Sequence, residues 1–363
     1  MIRVMVVDDS PLVRKIASDI LNSDTDVTVA CTAPTAEIAL AKLDRYQPDA
    51  ITMDMEMPGM GGVEAIRRIM RQRPTPIIVL SAHARQGADL TLRALEAGAV
   101  DFMLKPSSNL SGGLDAVAAE LIEKVKSAST VEVKAPEREE GWDAQPKTVE
   151  RKPAPRIVRS CDDRFDLVAI GTSTGGPVAL KTVLSGLPAE FPLPIVIVQH
   201  MPPVFTKAFA ERLNSTCAVA VKEAEPGDVL RPGLAIVAAG NYHLTVSRSH
   251  GEARVQLNQD PLVSGHRPSV DVLMRSVAQE YGARAIGVIM TGMGKDGSDG
   301  LRELRKKGGH IVAQDKASSV IFGMNREVIL NGDANEVVDL TEIPRVLAEL
   351  SCAKAYAKEA AAL

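Results

Sequence analysis

Aromatic residues are scarce. They make up 3% of the 363 residues, with a single tryptophan, Trp142. A protein that stacks on nucleobases needs a platform of rings, which this composition does not supply. The formal net charge is -4, and no basic stripe or helix-turn-helix pattern offsets it, so nucleic acid is not an expected partner. The four cysteines, Cys31, Cys161, Cys217 and Cys352, are scattered and form no C-x-x-C pair. That argues against a zinc site and a disulfide framework, and it fits a reducing compartment. No apolar run reaches the roughly 18 residues that mark a membrane span. The opening Met1-Ile2-Arg3-Val4-Met5 reads as a strand and not as a signal peptide. The expectation is a cytoplasmic protein without membrane insertion. The rest is ordinary: 45% hydrophobic and 24% charged residues, in a chain long enough for about two or three domains.

Over roughly the first 125 residues, apolar runs alternate with amphipathic helix patterns. Strands are expected at 2–7, 27–31, 50–53, 76–80 and 101–104, with helices at 11–22, 34–46, 61–72, 88–97 and 114–127. Such alternation implies a parallel sheet, and ligands of such sheets bind beyond the carboxyl ends of the strands. Asp8 and Asp9 follow the first strand, Asp54 the third, Ser81 the fourth and Lys105 the fifth. Three carboxylates in one cleft repel one another unless a cation lies among them. Mg²⁺ accepts a few carboxylates and keeps positions open for phosphate oxygens. Lys105 would pair with an added phosphate as a point charge.

Val7-Asp8-Asp9-Ser10, Met53-Asp54-Met55-Glu56-Met57-Pro58-Gly59-Met60, Ser81-Ala82 and Lys105-Pro106 together resemble a two-component receiver domain, a flavodoxin-like (βα)5 fold. The resemblance implies that Asp54 accepts a phosphoryl group from a histidine kinase. It also implies that Asp8, Asp9, Asp54 and the Glu56 backbone carbonyl hold Mg²⁺. Ser81 would be the switch hydroxyl and Phe102 the switch aromatic. The Lys105-Pro106 bond is a candidate cis bond on the same grounds. Gly61 departs from the pattern, since many receivers carry Asp in that turn.

From 128 to 159 the periodicity ends. Pro136, Pro146, Pro153 and Pro155 lie among mixed charges, and Trp142 sits in the middle. This reads as a flexible tether between domains at 1–127 and 160–357.

The second domain alternates again. Strands are expected at 165–170, 193–199, 234–238, 243–246, 253–257, 285–290, 310–313 and 336–339. Helices are expected at 177–185, 204–214, 269–281, 298–307, 326–331 and 341–353. The strands between 234 and 257 are joined too closely for crossover helices and read as a β-hairpin insert. The rest implies a doubly wound parallel sheet. The organising stretch is Gly171-Thr172-Ser173-Thr174-Gly175-Gly176. It places a serine on a glycine-flanked strand-to-helix turn and satisfies the G-x-S-x-G pattern of a nucleophile elbow. Pro177 suits the first turn of the helix that leaves it.

A serine is a weak nucleophile without a base and a group to orient that base. His200 ends the strand Ile195-Val196-Ile197-Val198-Gln199, and Asp296 lies in Thr291-Gly292-Met293-Gly294-Lys295-Asp296-Gly297. Hydroxyl, imidazole and carboxylate thus meet at one pole of one sheet, as acyl transfer requires. Backbone N–H groups of the glycine-rich loop around Met293 and of the helix that begins after Gly175 can face a developing oxyanion. Of the other histidines, His243 and His310 read as strand residues and His250 as a turn. His266 precedes a helix start from which it can line the site. The order Ser, His, Asp differs from the Ser, Asp, His order of α/β-hydrolases.

These segments, with Gln199-His200-Met201-Pro202, His266-Arg267-Pro268-Ser269-Val270-Asp271 and Ala313-Gln314-Asp315, resemble the catalytic domain of the CheB family of chemotaxis methylesterases. The resemblance implies a hydrolase acting on glutamate γ-methyl esters of methylated chemoreceptors and releasing methanol. Accompanying deamidation of receptor glutamines is also implied, with no cofactor for the hydrolysis. Ser173, His200 and Asp296 fall on the family's triad, and Thr174 and the Met293 backbone near its oxyanion positions. Asn325 and Ala239-Gly240 depart from the family's usual Pro and Pro-Ala. Two other readings exist: a nucleotide-phosphate site at the Ser173 turn, and a response regulator with a non-enzymatic binding output. The first lacks the second glycine of G-x-G-x-x-G and an acidic ribose ligand.

Overall fold

The computed structural model describes residues 1–81, 85–105, 113–133, 164–249 and 251–351. They fall into two compact units, Met1–Asp143 and Ala144–Leu363.

The first unit alternates strand and helix without interruption: β1 (Ile2–Val7), α1 (Pro11–Asn22), β2 (Val27–Ala33), α2 (Ala36–Tyr46), β3 (Ala50–Asp54), α3 (Gly62–Gln72), β4 (Ile77–Ser81), α4 (Arg85–Glu96), β5 (Asp101–Leu104) and α5 (Gly113–Ala128). The sheet order is β2-β1-β3-β4-β5, and every pairing is parallel. The central strands β3 and β4 are buried at every position, as expected of strands covered on both faces. Ser10 caps α1, its hydroxyl accepting the Val13 N–H, and Pro11 occupies the first turn. Thr35 caps α2 in the same way, so that helix starts two residues later than periodicity suggests. α5 ends at Ala128. The tether expected at 128–159, with Trp142, lies outside the described residues from 134 onward. So does Pro106, and with it the expected cis bond.

The second unit comprises β6 (Leu167–Thr172), α6 (Gly176–Ser185), β7 (Ile195–Gln199), α7 (Pro203–Thr216), β8 (Ala220–Glu223), β9 (Leu234–Val237), β10 (His243–Ser249), β11 (Glu252–Asn258), α8 (Val270–Glu280), β12 (Ala285–Ile289), α9 (Ser298–Lys306), β13 (His310–Gln314), α10 (Met324–Leu330), β14 (Glu336–Val338) and α11 (Ile343–Leu350). Its main sheet has the order β14-β13-β12-β6-β7-β9-β8 and is parallel throughout. From β6 the chain builds outward through β7 on one side, then returns and builds outward from β12 on the other. The order therefore reverses between β6 and β12, which is where open parallel sheets place their ligand crevice.

Two expectations need correction. The strand at 234–237 belongs to the main sheet, and only β10 and β11 form the hairpin insert. The strand β8 has no counterpart among the expected elements. The crossover from β8 to β9, residues 224–233, contains no helix. It runs instead along β11, with hydrogen bonds from Gly227 N–H to the Val255 carbonyl (3.0 Å) and from Leu230 N–H to the Ala253 carbonyl (2.9 Å). The hairpin thus covers the sheet where a crossover helix otherwise would.

Candidate active site

Ser173 directly follows β6. Its N–H donates to the Thr291 carbonyl (3.1 Å) and its own carbonyl accepts the Gly176 N–H (2.8 Å). The Gln199 side-chain amide donates to that same carbonyl (2.9 Å) and to the carbonyl of His200 (3.0 Å). Gly175 turns the chain into α6 at φ 77°, the left-handed region that favours glycine, and a Cβ there would lie 2.6 Å from Val320 Cβ. On β7, Gln199 pairs with Thr172, and the His200 N–H donates to the Thr172 carbonyl (3.1 Å). Parallel pairing alone therefore sets Ser173 and His200 side by side, one step past the last paired residues.

Asp296 is 2% exposed and is held by four donors. The His200 imidazole Nε2 lies 2.8 Å from Oδ2, and the Val270 N–H donates to the same oxygen at 2.6 Å. The Ser269 hydroxyl (2.7 Å) and the Asp271 N–H (3.2 Å) donate to Oδ1. Ser269 caps α8, so the carboxylate sits at a helix N-terminus, where the dipole favours an anion. Gly171 permits this approach: a Cβ on it would come within 2.2 Å of Val270 Cγ1. Burial on its own pushes the Asp296 pKa up. The hydrogen bond and charge of His200, with the Ser269 and Val270 donors, outweigh it and hold the carboxyl down at about 2.

Because Asp296 occupies Nε2, the other ring nitrogen of His200 is the one left for a serine proton. That atom, Nδ1, is buried and makes no hydrogen bond among the described residues. Thr174 is buried, its carbonyl accepting the Thr291 hydroxyl (2.9 Å). Met293 follows Gly292, whose added Cβ would stand 2.9 Å from Ser173 Cβ.

Several supports lay beyond sequence reasoning. Thr291 ties three segments together: its N–H donates to the Gln314 amide oxygen (2.8 Å), its hydroxyl accepts the Ile321 N–H (2.9 Å), and its carbonyl accepts the Thr172 hydroxyl (2.8 Å). His266, which the sequence already places where it can line the site, stacks on His200, ring centroids 3.8 Å apart and planes 14° from parallel. His243 is buried between the Pro261 carbonyl (3.1 Å) and the Ser269 N–H (3.3 Å), and His310 faces Glu336 (2.7 Å). Both are structural, as their strand positions suggest. His83 and His250 fall outside the described residues or side chains.

In the first unit, Asp8 and Asp54 are buried and Asp9 is exposed, and one ligand atom from each lies within 4.8 Å of the others. The Lys105 ammonium bridges Asp8 Oδ2 (3.0 Å) and Asp54 Oδ2 (2.8 Å). The remaining oxygens accept the N–H groups of Ser10 (2.9 Å) and Glu56 (3.0 Å). Burial pushes the Asp8 carboxyl above its usual range, against the pull of Lys105 and Ser10 and with the push of the Asp54 charge. Burial works to lower the Lys105 pKa, yet Asp54 and Asp8 raise it. The Ser81 hydroxyl is buried 2.8 Å from that of Thr91 on α4. Phe102 is buried on β5. The five strand-end polar residues thus converge on one pole.

Residues 168–347 match the model of the CheB methylesterase family, and residues 4–111 that of the response regulator receiver domain. A Burkholderia lata protein named protein-glutamate methylesterase/protein-glutamine glutaminase 3 is 45% identical over 96% of both chains. A Salmonella typhi protein named protein-glutamate methylesterase/protein-glutamine glutaminase is 41% identical over 98% of both. The crystal structure of the Thermotoga maritima CheB methylesterase catalytic domain matches 51% of this chain and 98% of its own, at 43% identity and a TM-score of 0.51. A strand-end serine, histidine and aspartate behind a strand-end acid cluster, and near-full-length identity above 40% to such proteins, lead to one assignment: the chain belongs to the CheB methylesterase family and carries that family's catalytic domain behind a response regulator receiver domain.

Proposed function

We propose that this protein is a phosphorylation-regulated protein-glutamate methylesterase that acts on methylated chemoreceptors and also deamidates receptor glutamines. The observation that carries the reading is the Asp296–His200 pair, with Nδ1 unengaged on a residue that the strand pairing sets next to Ser173. The Ser173 hydroxyl attacks the γ-ester carbonyl while its proton passes to His200 Nδ1. Asp296, anionic at neutral pH, stabilises the imidazolium and holds the tautomer. Backbone N–H groups at Thr174 and Met293 take the oxyanion; each such donor is typically worth about 3 to 4 kcal/mol. Collapse expels methanol, which takes its proton from His200, and water repeats the sequence to free the glutamate side chain. A glutamine amide would follow the same course and release ammonia.

In the receiver, Asp54 is the proposed phosphoryl acceptor and a chemotaxis histidine kinase the donor. Asp8, Asp9, Asp54 and the Glu56 carbonyl would hold Mg²⁺. A raised Asp8 pKa and three converging ligand atoms support that fit. When bound, Mg²⁺ supplies positive charge against the carboxylates and the phosphoryl oxygens. Lys105 pairs with the phosphate, and Ser81 and Phe102 answer its presence. The proposed domain limits are 1–127 and 160–357, joined by a tether at 128–159, and the proposed compartment is the cytoplasm. Among the described residues no helix is long and apolar enough to cross a membrane.

The test is methanol release from receptor membranes carrying labelled methyl esters. Ser173→Ala should abolish release and leave Asp54 phosphorylation intact. Release that persists above a few per cent in this variant would exclude Ser173 as nucleophile.

A further inference from the structure

We infer that His266 is a positioning residue for catalysis: its ring restricts the plane of His200 and with it the placement of Nδ1, the atom assigned to take the Ser173 proton. The inference rests on the methylesterase reading and assigns a role that the triad alone does not include.

The geometry of the His200 ring leads to it. The ring is held at two places, by its own Cβ–Cγ bond and by the Nε2 contact to Asp296 at 2.8 Å. Both lie close to one line through the imidazole, from Cγ to Nε2. Rotation about that line keeps both attachments and swings Nδ1 sideways, out of line with a serine hydroxyl. Asp296 therefore restrains the ring plane only in part. Among the described residues, His200 Nδ1 has no hydrogen bond that would restrain it further. A flat partner at 3.8 Å and 14° from parallel restricts this one remaining rotation, because any swing drives ring edge into ring face.

His266 is itself well supported. It closes a tight hairpin with Val263 through two backbone hydrogen bonds, at 3.2 and 2.9 Å. The two central residues, Ser264 and Gly265, have φ 53° and 81°, as a type I′ turn requires. The next residue, Arg267, anchors the hairpin: its guanidinium donates to the Gln259 carbonyl (2.8 Å), the Asp260 carbonyl (3.0 Å) and the Asn241 side-chain oxygen (2.8 Å). Two residues on, Ser269 and then the N–H groups of Val270 and Asp271 bind Asp296. A single segment, 266–271, thus holds the base by its face and the carboxylate by its oxygens. An error in either would misplace the proton acceptor.

The experiment compares His266→Ala, His266→Leu and His266→Phe in the full-length protein. The measurements are kcat and KM for methanol release and the rate of Ser173 labelling by a fluorophosphonate. Leucine fills the space without a flat face, and phenylalanine restores the face without the nitrogens. Alanine and leucine should lower kcat and the labelling rate together, by about ten- to a hundredfold, with KM little changed. Phenylalanine should recover most of the loss. Wild-type kcat in His266→Ala would overturn the inference, as would leucine rescuing as well as phenylalanine, or a loss confined to KM. If alanine prevents folding, the leucine and phenylalanine pair decides alone. Should the wild-type protein itself release no methanol, with labelling of Ser173 intact, the methylesterase reading fails and the labelling comparison still judges the role of His266.

Discussion

Asp296 carries a full charge in a place where burial works against charge, and four donors make that possible. Asn at this position keeps the shape but presents an N–H₂ group to N–H donors, and it no longer selects the His200 tautomer. Asp296→Asn should lower the methanol-release rate roughly 10⁴-fold, read as kcat with Ser173→Ala as the blank. The same carboxyl predicts a pH dependence of stability. Its pKa falls from 3.8 to about 2 on folding. Between those values the unfolded chain binds more protons, so stability rises with pH there. The contribution is complete above about pH 4 and is lost as pH falls through about 2. In urea melts, the gap between the wild type and Asp296→Asn should therefore be wider at about pH 5 than at about pH 2.5. An unchanged gap would mean that the carboxyl is not held anionic by the fold. Ser173, His200 and Asp296 were legible because each follows an apolar strand, or a glycine-rich loop after one, and a parallel sheet gathers such ends at one pole. Ser269, Gln199 and Thr291 were not legible as supports. Their roles depend on side-chain hydrogen bonds between segments far apart in sequence, and periodicity carries no trace of these.

At the scale of elements, the junction of β6 with α8 decides whether the carboxylate reaches the site. Gly171 lets Val270 lie against the strand, and a Cβ would meet Val270 Cγ1 at 2.2 Å. Gly171→Ala should destabilise the protein by about 1 to 3 kcal/mol, as overpacking usually does. It should also slow catalysis by lifting the start of α8 off Asp296. Val270→Ala removes the colliding carbon, so the double variant should be more stable than the two separate losses predict. Additive losses in urea melts would place the strain elsewhere. Most elements here were readable because apolar strands and amphipathic helices have different periods. β8 was the exception. Its Ala220-Val221-Lys222-Glu223 is short and half charged, in keeping with its place at the sheet edge. Sequence spacing assigns β9 to the hairpin because the connections between 234 and 257 are too short for crossover helices. A hairpin serving as cover in place of a helix is a tertiary fact, and chain spacing does not reveal it.

At the scale of the whole molecule, the acid cluster and the proposed triad belong to different units, so any regulation must be a coupling free energy between them. Phosphorylation at the proposed acceptor Asp54 would add roughly 1.5 to 2 negative charges beside Lys105, which now bridges Asp8 and Asp54. Lys105 must then turn to the phosphate. The Ser81 hydroxyl, now beside Thr91 on α4, has a strong new acceptor to follow. Couplings of this kind are commonly about 1 to 3 kcal/mol, or roughly 5- to 150-fold in an equilibrium. A small phosphodonor with Mg²⁺ should raise the rate of methanol release by the wild-type protein within that range. Asp54→Ala should keep the unstimulated rate and lose the response, because it removes the acceptor and leaves the triad untouched. EDTA should also abolish the response while sparing the unstimulated rate, since the hydrolysis is assigned wholly to side chains and backbone donors. Thr91→Val, which removes the hydroxyl–hydroxyl contact between α4 and Ser81, should change the size of the response more than the unstimulated rate. The rates with and without phosphodonor in all four cases come from the same membranes in one series. Stimulation that survived in Asp54→Ala would move the phosphoryl acceptor away from Asp54. A basal rate that fell with EDTA would instead place a metal in the esterase chemistry.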